Sequence, residues 1–391
     1  MTSPARLPSP GPLEAGPGPL DPGEPVDLAV VGAGPCGIAA GAAARQSGLS
    51  TLLIDRGPLC DSLVRYPPYM SFFSTPEKLE IEDLPFVTVG RNPTRLEALT
   101  YYRRVTEYFG LPTRLYREVL GIRGGEGDFR LHLRAADDTG EENGREEWVR
   151  ARRVVVATGG FHGPNLLEVP GEELPKVSHH YTEAHPYWNQ DVVVVGGGNS
   201  AVEASLELFR AGSRVTLVHF LEDFDRGVKP WILPDIQNRV EKGEIGIRWR
   251  HRVREIRPRS VLLEEVAPAR RTEEDSGTDA GKRPVALEGV EGSGEELPND
   301  FVLALTGWKA DPGLLLQMGV PVDEASGIPA HDPDTMETPV AGVFIAGVLA
   351  AGNDANQIFI ENGRWHGRAI VAAITRRSEG VPGPRSPPGS R

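Results

Sequence analysis

Twice along this chain an apolar run stops at a cluster of glycines and resumes as a helix-forming stretch. The first break is Gly32-Ala33-Gly34-Pro35-Cys36-Gly37, behind the run Leu28 to Val31. The second is Gly196-Gly197-Gly198-Asn199-Ser200-Ala201, behind Val192 to Val195. Short apolar runs of this kind read as buried parallel strands, and the alanine-rich stretches after them as helices. Glycines here permit a tight turn and let the backbone approach a pyrophosphate, whose charge meets the positive end of the helix. One such motif says little. Two, roughly 160 residues apart and therefore on a domain-sized spacing, imply two dinucleotides, and the natural pair is a flavin and a nicotinamide. The chain is expected to move electrons.

The residue that closes the next strand separates the two sites. An acid about 20 residues past the turn binds a ribose hydroxyl. After the first motif, Ser50 to Ile54 forms such a strand and ends on Asp55. After the second, Arg214 to Val218 ends on His219-Phe220, with no acid there. A carboxylate at that point repels a ribose phosphate, so its absence points to NADP. Glu222, Asp223 and Asp225 follow closely, and Arg226 and Lys229 are the available cations. The expected first-site residues are Gly32, Gly34, Pro35, Cys36, Gly37 and Asp55. The second-site residues are Gly196, Gly198, Asn199, Ser200, Ala201 and His219.

At 391 residues the chain exceeds one small core, so two domains are the default. Hydrophobic content of 39% and charged content of 25% describe a globular protein. A net charge of −13 argues against nucleic-acid binding, which needs a positive field. No apolar stretch approaches the roughly 20 residues that span a bilayer, so no membrane role is expected. Residues 1–25 and 378–391, rich in Pro, Gly and Ser, are expected to be disordered tails. Two cysteines, Cys36 and Cys60, leave no disulfide framework, which fits a reducing cytoplasm.

Order along the chain suggests an insertion. Val154 to Val156 reads as a strand ending in the small-residue turn Ala157-Thr158-Gly159, and Phe301 to Gly307 echoes it. A third strand, Gly342 to Ala346, ends on Gly347 and precedes a closing helix expected from about Asn356. Strand-like segments at Thr113 to Ile122 and Phe129 to Leu133 are expected around a charged loop near Asp137 to Glu147. Ala269 to Lys282 reads as a flexible loop between two strands of a small sheet. The expected class is α/β, with two Rossmann-like dinucleotide-binding domains, one inserted into the other. The boundaries are 26–160 and 303–377 for the first domain and 161–302 for the second.

Between residues 26 and 375 the chain resembles the two-dinucleotide-domain flavoproteins that include low-molecular-weight thioredoxin reductase. Its local strings are similar to the YpdA-type bacillithiol-disulfide reductases. These strings include Gly34-Pro35-Cys36-Gly37, Phe72-Phe73-Ser74-Thr75, Lys229-Pro230-Trp231-Ile232-Leu233-Pro234 and the run from Gly352 to Gly363. The resemblance implies FAD at the first fingerprint, NADPH at the second, and a small-molecule thiol disulfide as substrate. It implies that Thr158, Gly159, Gly347, Gln357 and Ile358 also line the FAD site. A homo-oligomer is expected. Thioredoxin reductases carry a C-x-x-C pair in the second domain; this chain has no cysteine after Cys60, which excludes a dithiol relay there. The usual acid after the last glycine turn is Val348, leaving Asn353, Asp354 and Gln357 as candidates for the ribityl chain.

Cys36 is the candidate catalytic residue. At a helix N-terminus the dipole favours thiolate and lowers the thiol pKa. Such a thiolate can attack a disulfide; the alternative is a small residue packed beside the pyrophosphate. His179, His180 and His185 are weaker proton-donor candidates, and no metal site is expected. Arg65, Lys78 and Arg364 are candidate cations for a substrate carrying carboxylates. Other functions remain open at this point: a flavin monooxygenase, a ferredoxin- or flavodoxin-NADP reductase, or a thiol- or peroxide-sensing flavoprotein.

Overall fold

A computed structural model describes residues 24–378 apart from 136–145, 162, 268–288, 291, 293 and 355–356. The expected tails, the loop Ala269 to Lys282 and Asn356 therefore lie wholly or almost wholly outside the described residues. Strand β1 (Val26–Val31) enters the first glycine turn and is followed by α1 (Pro35–Gln46) and β2 (Thr51–Ile54). Apolar residues fill both faces of β1 and β2, as strands covered on two sides require. An excursion follows through α2 (Asp61–Val64), α3 (Pro76–Leu79) and α4 (Arg95–Tyr108). A capping box starts α4: the Glu97 N–H donates to Thr94 Oγ1 at 3.2 Å, and the Thr94 N–H donates to the Glu97 carboxylate at 2.8 Å.

Next come β3 (Thr113–Arg114), β4 (Arg117–Gly125), β5 (Asp128–Ala135) and β6 (Glu147–Val156). The first sheet runs β3-β2-β1-β6-β5-β4. The first part of β6 pairs antiparallel with β5; its last residues lie parallel to β1, with Val31 opposite Val156. Glu126-Gly127 turns β4 into β5, and the expected charged loop near Asp137 to Glu147 falls between the antiparallel β5 and β6, almost wholly outside the described residues. One expectation needs correction here. Strand β6 begins at Glu147, well before Val154, because its polar first half is half-exposed and only its second half reads as buried.

The chain then crosses to a second unit by β7 (Gly163–Pro164) and β8 (Val177–Ser178). There β9 (Asp191–Val195), α5 (Asn199–Arg210), β10 (Arg214–His219), α6 (Leu233–Glu241) and β11 (Gly246–Trp249) repeat the strand–helix alternation. An antiparallel layer of β12 (His251–Arg257), β13 (Ser260–Glu265) and β14 (Glu295–Pro298) interrupts it. Strand β15 (Phe301–Ala304) completes the parallel order β11-β10-β9-β15-β8. Because β15 pairs with β9 as far as Ala304, the second sheet extends past the expected boundary at 302.

Return to the first unit is by β16 (Trp308–Lys309), which pairs antiparallel with β7, so the two crossings run side by side. After α7 (Gly313–Gln317), β17 (Val343–Ile345) joins the first sheet parallel to β6. Two helices close the chain, α8 (Ile360–Gly363) and α9 (His366–Ser378), where one helix from about Asn356 was expected. The fold is α/β, with one Rossmann-like unit inserted into another.

Helix α9 lies on α1, and Gly367 is where they touch. A Cβ at Gly367 would stand 2.7 Å from the Cα of Ala40. Gly367→Ala is expected to destabilise the chain by about 1–3 kcal/mol through forced separation of the helices, read as a lower midpoint in denaturant titration.

Candidate cofactor and active site

The first fingerprint sits at the carboxyl ends of β1 and β6. Gly32 has φ +109°, and a Cβ there would lie 2.2 Å from the Ala157 carbonyl oxygen. Gly37 packs against Gly32 in turn, with its absent Cβ 1.9 Å from the Gly32 oxygen. Both glycines are forced by backbone contact. Gly34 differs: it caps α1, and no atom lies within 4 Å of its Cβ position. Gly159, with φ +76°, also faces open space, and beside it the buried Thr158 Oγ1 has no hydrogen-bond partner. Open backbone at a helix N-terminus, next to an orphaned hydroxyl, is the cradle a pyrophosphate needs. FAD fits here.

Asp55 stands at the end of β2 and braces the turn. Its Oδ2 accepts the Ala33 N–H at 2.7 Å and its Oδ1 accepts the Gly57 N–H at 2.9 Å. Burial pushes its carboxyl above the usual range, against the two backbone donors. Each oxygen keeps a further lone pair for a ribose hydroxyl.

The Cys36 Sγ points away from the open side of the turn. It lies 3.1 Å from the Cβ position of Gly347 and 2.8 Å from that of Gly363. These two glycines leave the room it occupies. Burial pushes the Cys36 thiol up to about 12, which corrects the expected depression by the helix. Desolvation outweighs the dipole at this site. Cys60 is buried in a left-handed turn, and burial raises its thiol also.

Gly347, with φ +73°, donates its N–H to His366 Nδ1 at 3.1 Å. Burial lowers the His366 imidazole to about 4, so it is a neutral acceptor. Val348 packs on Gly160, whose Cβ would lie 2.6 Å away. Asn353 is packed against Gly327, and Asp354 is buried. Gln357 is exposed, with its carbonyl accepting from Asn362 Nδ2 at 2.9 Å, and Ile358 packs against the core of the first unit. Lys78 and Arg364 come together around α3 and α8: Lys78 lies 3.3 Å from Glu361, while Arg364 donates to the carbonyls of Glu77 and Glu80. Arg65 pairs with Asp61 at 2.8 Å.

The second fingerprint repeats the geometry. Gly196, at φ +138°, would place a Cβ 2.4 Å from the Leu305 carbonyl oxygen. Gly198 caps α5, which has no side-chain cap. Asn199 clamps the following loop, its Nδ2 donating to the Gly227 oxygen and its Oδ1 accepting the Lys229 N–H, both at 2.9 Å. Ser200 is exposed and Ala201 is buried. The His219 ring lies against Gly197, 2.4 Å from its Cβ position. Lys229 is committed, 2.5 Å from Glu203 and 4.3 Å from the centre of the Phe73 ring. An uncapped helix start facing solvent suits a dinucleotide phosphate, so NADPH fits as well.

Of the histidines in the connector, His179 lies 3.4 Å from Glu172 and His180 packs on Trp308 at 4.6 Å. His185 is in a separate 3-10 turn. Among the described residues no group of three or more His, Cys, Asp or Glu could hold a metal. A cleft of about 450 Å³ lies at the opposite, amino ends of β9, β10 and β11, and ligands of open parallel sheets bind at the carboxyl ends. No helix among the described residues is long and apolar enough to cross a membrane.

Two nucleotide cradles on inserted parallel sheets define a two-nucleotide oxidoreductase. Residues 29–347 match the pyridine nucleotide-disulphide oxidoreductase family, and the chain belongs to it. It is an FAD- and NADPH-dependent enzyme. The chain is 38% identical to the bacilliredoxin reductase Bdr of Bacillus subtilis, over 89% of this chain and 97% of that protein. It is also similar to the structure of bacillithiol disulfide reductase Bdr (YpdA) from Bacillus cereus, at 38% identity and TM-score 0.80 over 90% of this chain and 100% of that one. The Staphylococcus aureus structure of the same name gives 34% identity and TM-score 0.77, over 90% and 99% of the two chains.

The His366 contact was missed in the sequence, since nothing local marks a histidine that accepts from a turn 19 residues earlier. It has a consequence for acid stability. The folded state holds His366 neutral down to about 4, whereas its ordinary value is 6.5. Below 6.5 the unfolded chain takes up this proton first, so stability falls as pH drops towards about 4 and is fully present above 6.5. The loss is at most about 3 kcal/mol. His366→Asn is expected to flatten that part of a stability–pH curve measured by urea unfolding.

Proposed function

We propose that this chain reduces the disulfide of a low-molecular-weight thiol, with bacillithiol disulfide as the first candidate. The observation that carries this reading is 38% identity to a bacillithiol disulfide reductase across 90% of the chain, combined with no cysteine after Cys60. Without a dithiol in the second unit, a protein disulfide relay has no acceptor pair, and a small disulfide needs none. A bound FAD would supply two-electron transfer between NADPH and the disulfide, so that NADPH, one proton and the disulfide give NADP+ and two thiols.

The chain's own residues bind and orient. Gly32, Gly34, Pro35, Cys36 and Gly37 present the α1 terminus to the FAD pyrophosphate, and Asp55 faces its ribose. Thr158, Gly159, Gly347, Gln357 and Ile358 line the remainder of that site. Gly196, Gly198, Asn199, Ser200 and Ala201 present α5 to NADPH, with His219 at the end of β10. The 26–160, 161–302 and 303–377 division is part of the same proposal, moved so that β15 stays whole with the second unit. A cytoplasmic location is supported by free Cys36 and Cys60. A homo-oligomer is included in this reading, and light scattering tests it.

Cys36 keeps the proposed role in disulfide exchange, with one change in its chemistry. It is half-buried and held as a thiol, so it has to give up its proton during exchange and is not a resident thiolate. Its sulfur sits close to Gly347 and Gly363, which leave the room it occupies.

Purified protein is expected to hold one FAD, to be reduced faster by NADPH than by NADH, and to oxidise NADPH with bacillithiol disulfide in preference to ferredoxin or oxygen. An acceptor screen that follows NADPH absorbance decides this, and turnover with ferredoxin alone would replace the reading. Cys36→Ser is expected to keep FAD content and the rate of flavin bleaching by NADPH while losing disulfide turnover. Wild-type disulfide turnover is expected to rise with pH and to show no plateau by about pH 9, because burial holds the Cys36 thiol well above its ordinary value. Full turnover in Cys36→Ser assigns the cysteine to packing.

A further inference from the structure

The loop after β10 folds back onto the second fingerprint. The Asp225 N–H donates to the Gly197 oxygen at 3.1 Å, and the Val228 N–H closes the turn on the Asp225 oxygen at 3.0 Å. Both ends of the Asn199 amide hold this loop down. As a result, Asp225 Oδ2 lies 3.2 Å from the Cβ position of Gly198, the capping residue of α5. Oδ1 lies 3.4 Å from His219 Nε2. His219 is 2% exposed, and neither ring nitrogen has a hydrogen-bond partner. The buried His219 ring and the uncapped start of α5 therefore both lie beside the Asp225 carboxylate.

Two anions cannot share that point without repulsion. A carboxylate and a phosphate about 4 Å apart repel by about 1 kcal/mol even in water, and by more at a partly dry surface. The capping amides and the positive helix end favour whichever anion is there.

We propose that Asp225 is a competitor for the coenzyme phosphate: its carboxylate stands beside the uncapped start of α5, and NADPH binds by displacing it. The exchange replaces an internal anion with the coenzyme's anion beside the same buried His219. Coenzyme affinity is thereby held below what the fingerprint alone supports. The inference rests on the reading of this fingerprint as the NADPH site.

The test is a titration of oxidised, FAD-loaded protein with NADP+, followed by calorimetry, so that no turnover is involved. Asp225→Asn is expected to bind NADP+ about three- to fivefold more tightly at low salt, with the gain shrinking as salt screens the charge. Asp225→Ser, which removes the same carboxylate with a smaller side chain, is expected to act alike. Glu222→Gln makes the same change of net charge on the exposed part of this loop and is expected to leave the affinity unchanged. Unchanged or weaker binding in both Asp225 variants overturns the proposal. So does an equal gain in Glu222→Gln, which would mean a general field effect. If wild-type protein shows no saturable NADP+ binding, the coenzyme reading falls and the inference with it; binding without an Asp225 effect removes the inference alone.

Discussion

The close approach of a glycine to the carbonyl of a neighbouring strand is what the rest of this structure depends on. Gly32 meets Ala157 and Gly196 meets Leu305, each at a distance that no Cβ could share. Each contact lets the chain turn sharply enough for a helix to start directly over the strand ends. The start of α1 and the start of α5 are then aimed outward with their first N–H groups unclaimed by side-chain caps. Binding capacity follows from this strain-free reversal, because a residue with a side chain would push the helix away from the sheet. Gly37 against the Gly32 oxygen repeats the same logic inside the turn and holds helix to strand.

The last part of the chain completes the first cradle by the same device. Gly347, Gly363 and Gly367 lie against Cys36 or Ala40 of α1, at separations that a methyl group would close. Cys36 thus occupies the seam between the fingerprint helix and the returning segment. That placement explains its thiol: what surrounds the sulfur is packed backbone, and desolvation there exceeds the stabilisation that a helix start gives a thiolate. His366 fixes the Gly347 turn from the other side by accepting its N–H. The geometry beside the flavin site is therefore set by small residues and one neutral imidazole.

Local features were legible in the sequence and long-range ones were not. Both fingerprints and the strands that lead into them could be read because their signals are contiguous: an apolar run followed by a glycine cluster. The short turn at Glu126-Gly127 was not read because only two residues separate β4 from β5. The split of α8 from α9 was missed because Ile360 to Ser378 contains no proline to break it. Asp55 was legible as an acid at the right spacing, but its bracing of Ala33 and Gly57 depends on the tertiary turn. The direction of the Cys36 shift was missed for the same reason, since burial is a property of what comes back to cover a residue.

The two sites differ in how they treat charge, and this follows from the chain as a whole. With a net charge of −13, its long-range field opposes a polyanionic coenzyme, so attraction has to come from short-range dipoles. The first cradle, on the proposed reading, would meet this with neutral groups: open backbone at Gly34 and Gly159, and the Thr158 hydroxyl. In the second, Lys229 is spent within the protein by its contacts with Glu203 and Phe73. Phe73 belongs to the first unit and Lys229 to the second, and Asn199 ties Lys229 to the start of α5. The loop that covers the second fingerprint is therefore anchored at once to the coenzyme turn and to the opposite unit. Lys229 is thus the residue through which the coenzyme turn and the opposite unit share a contact.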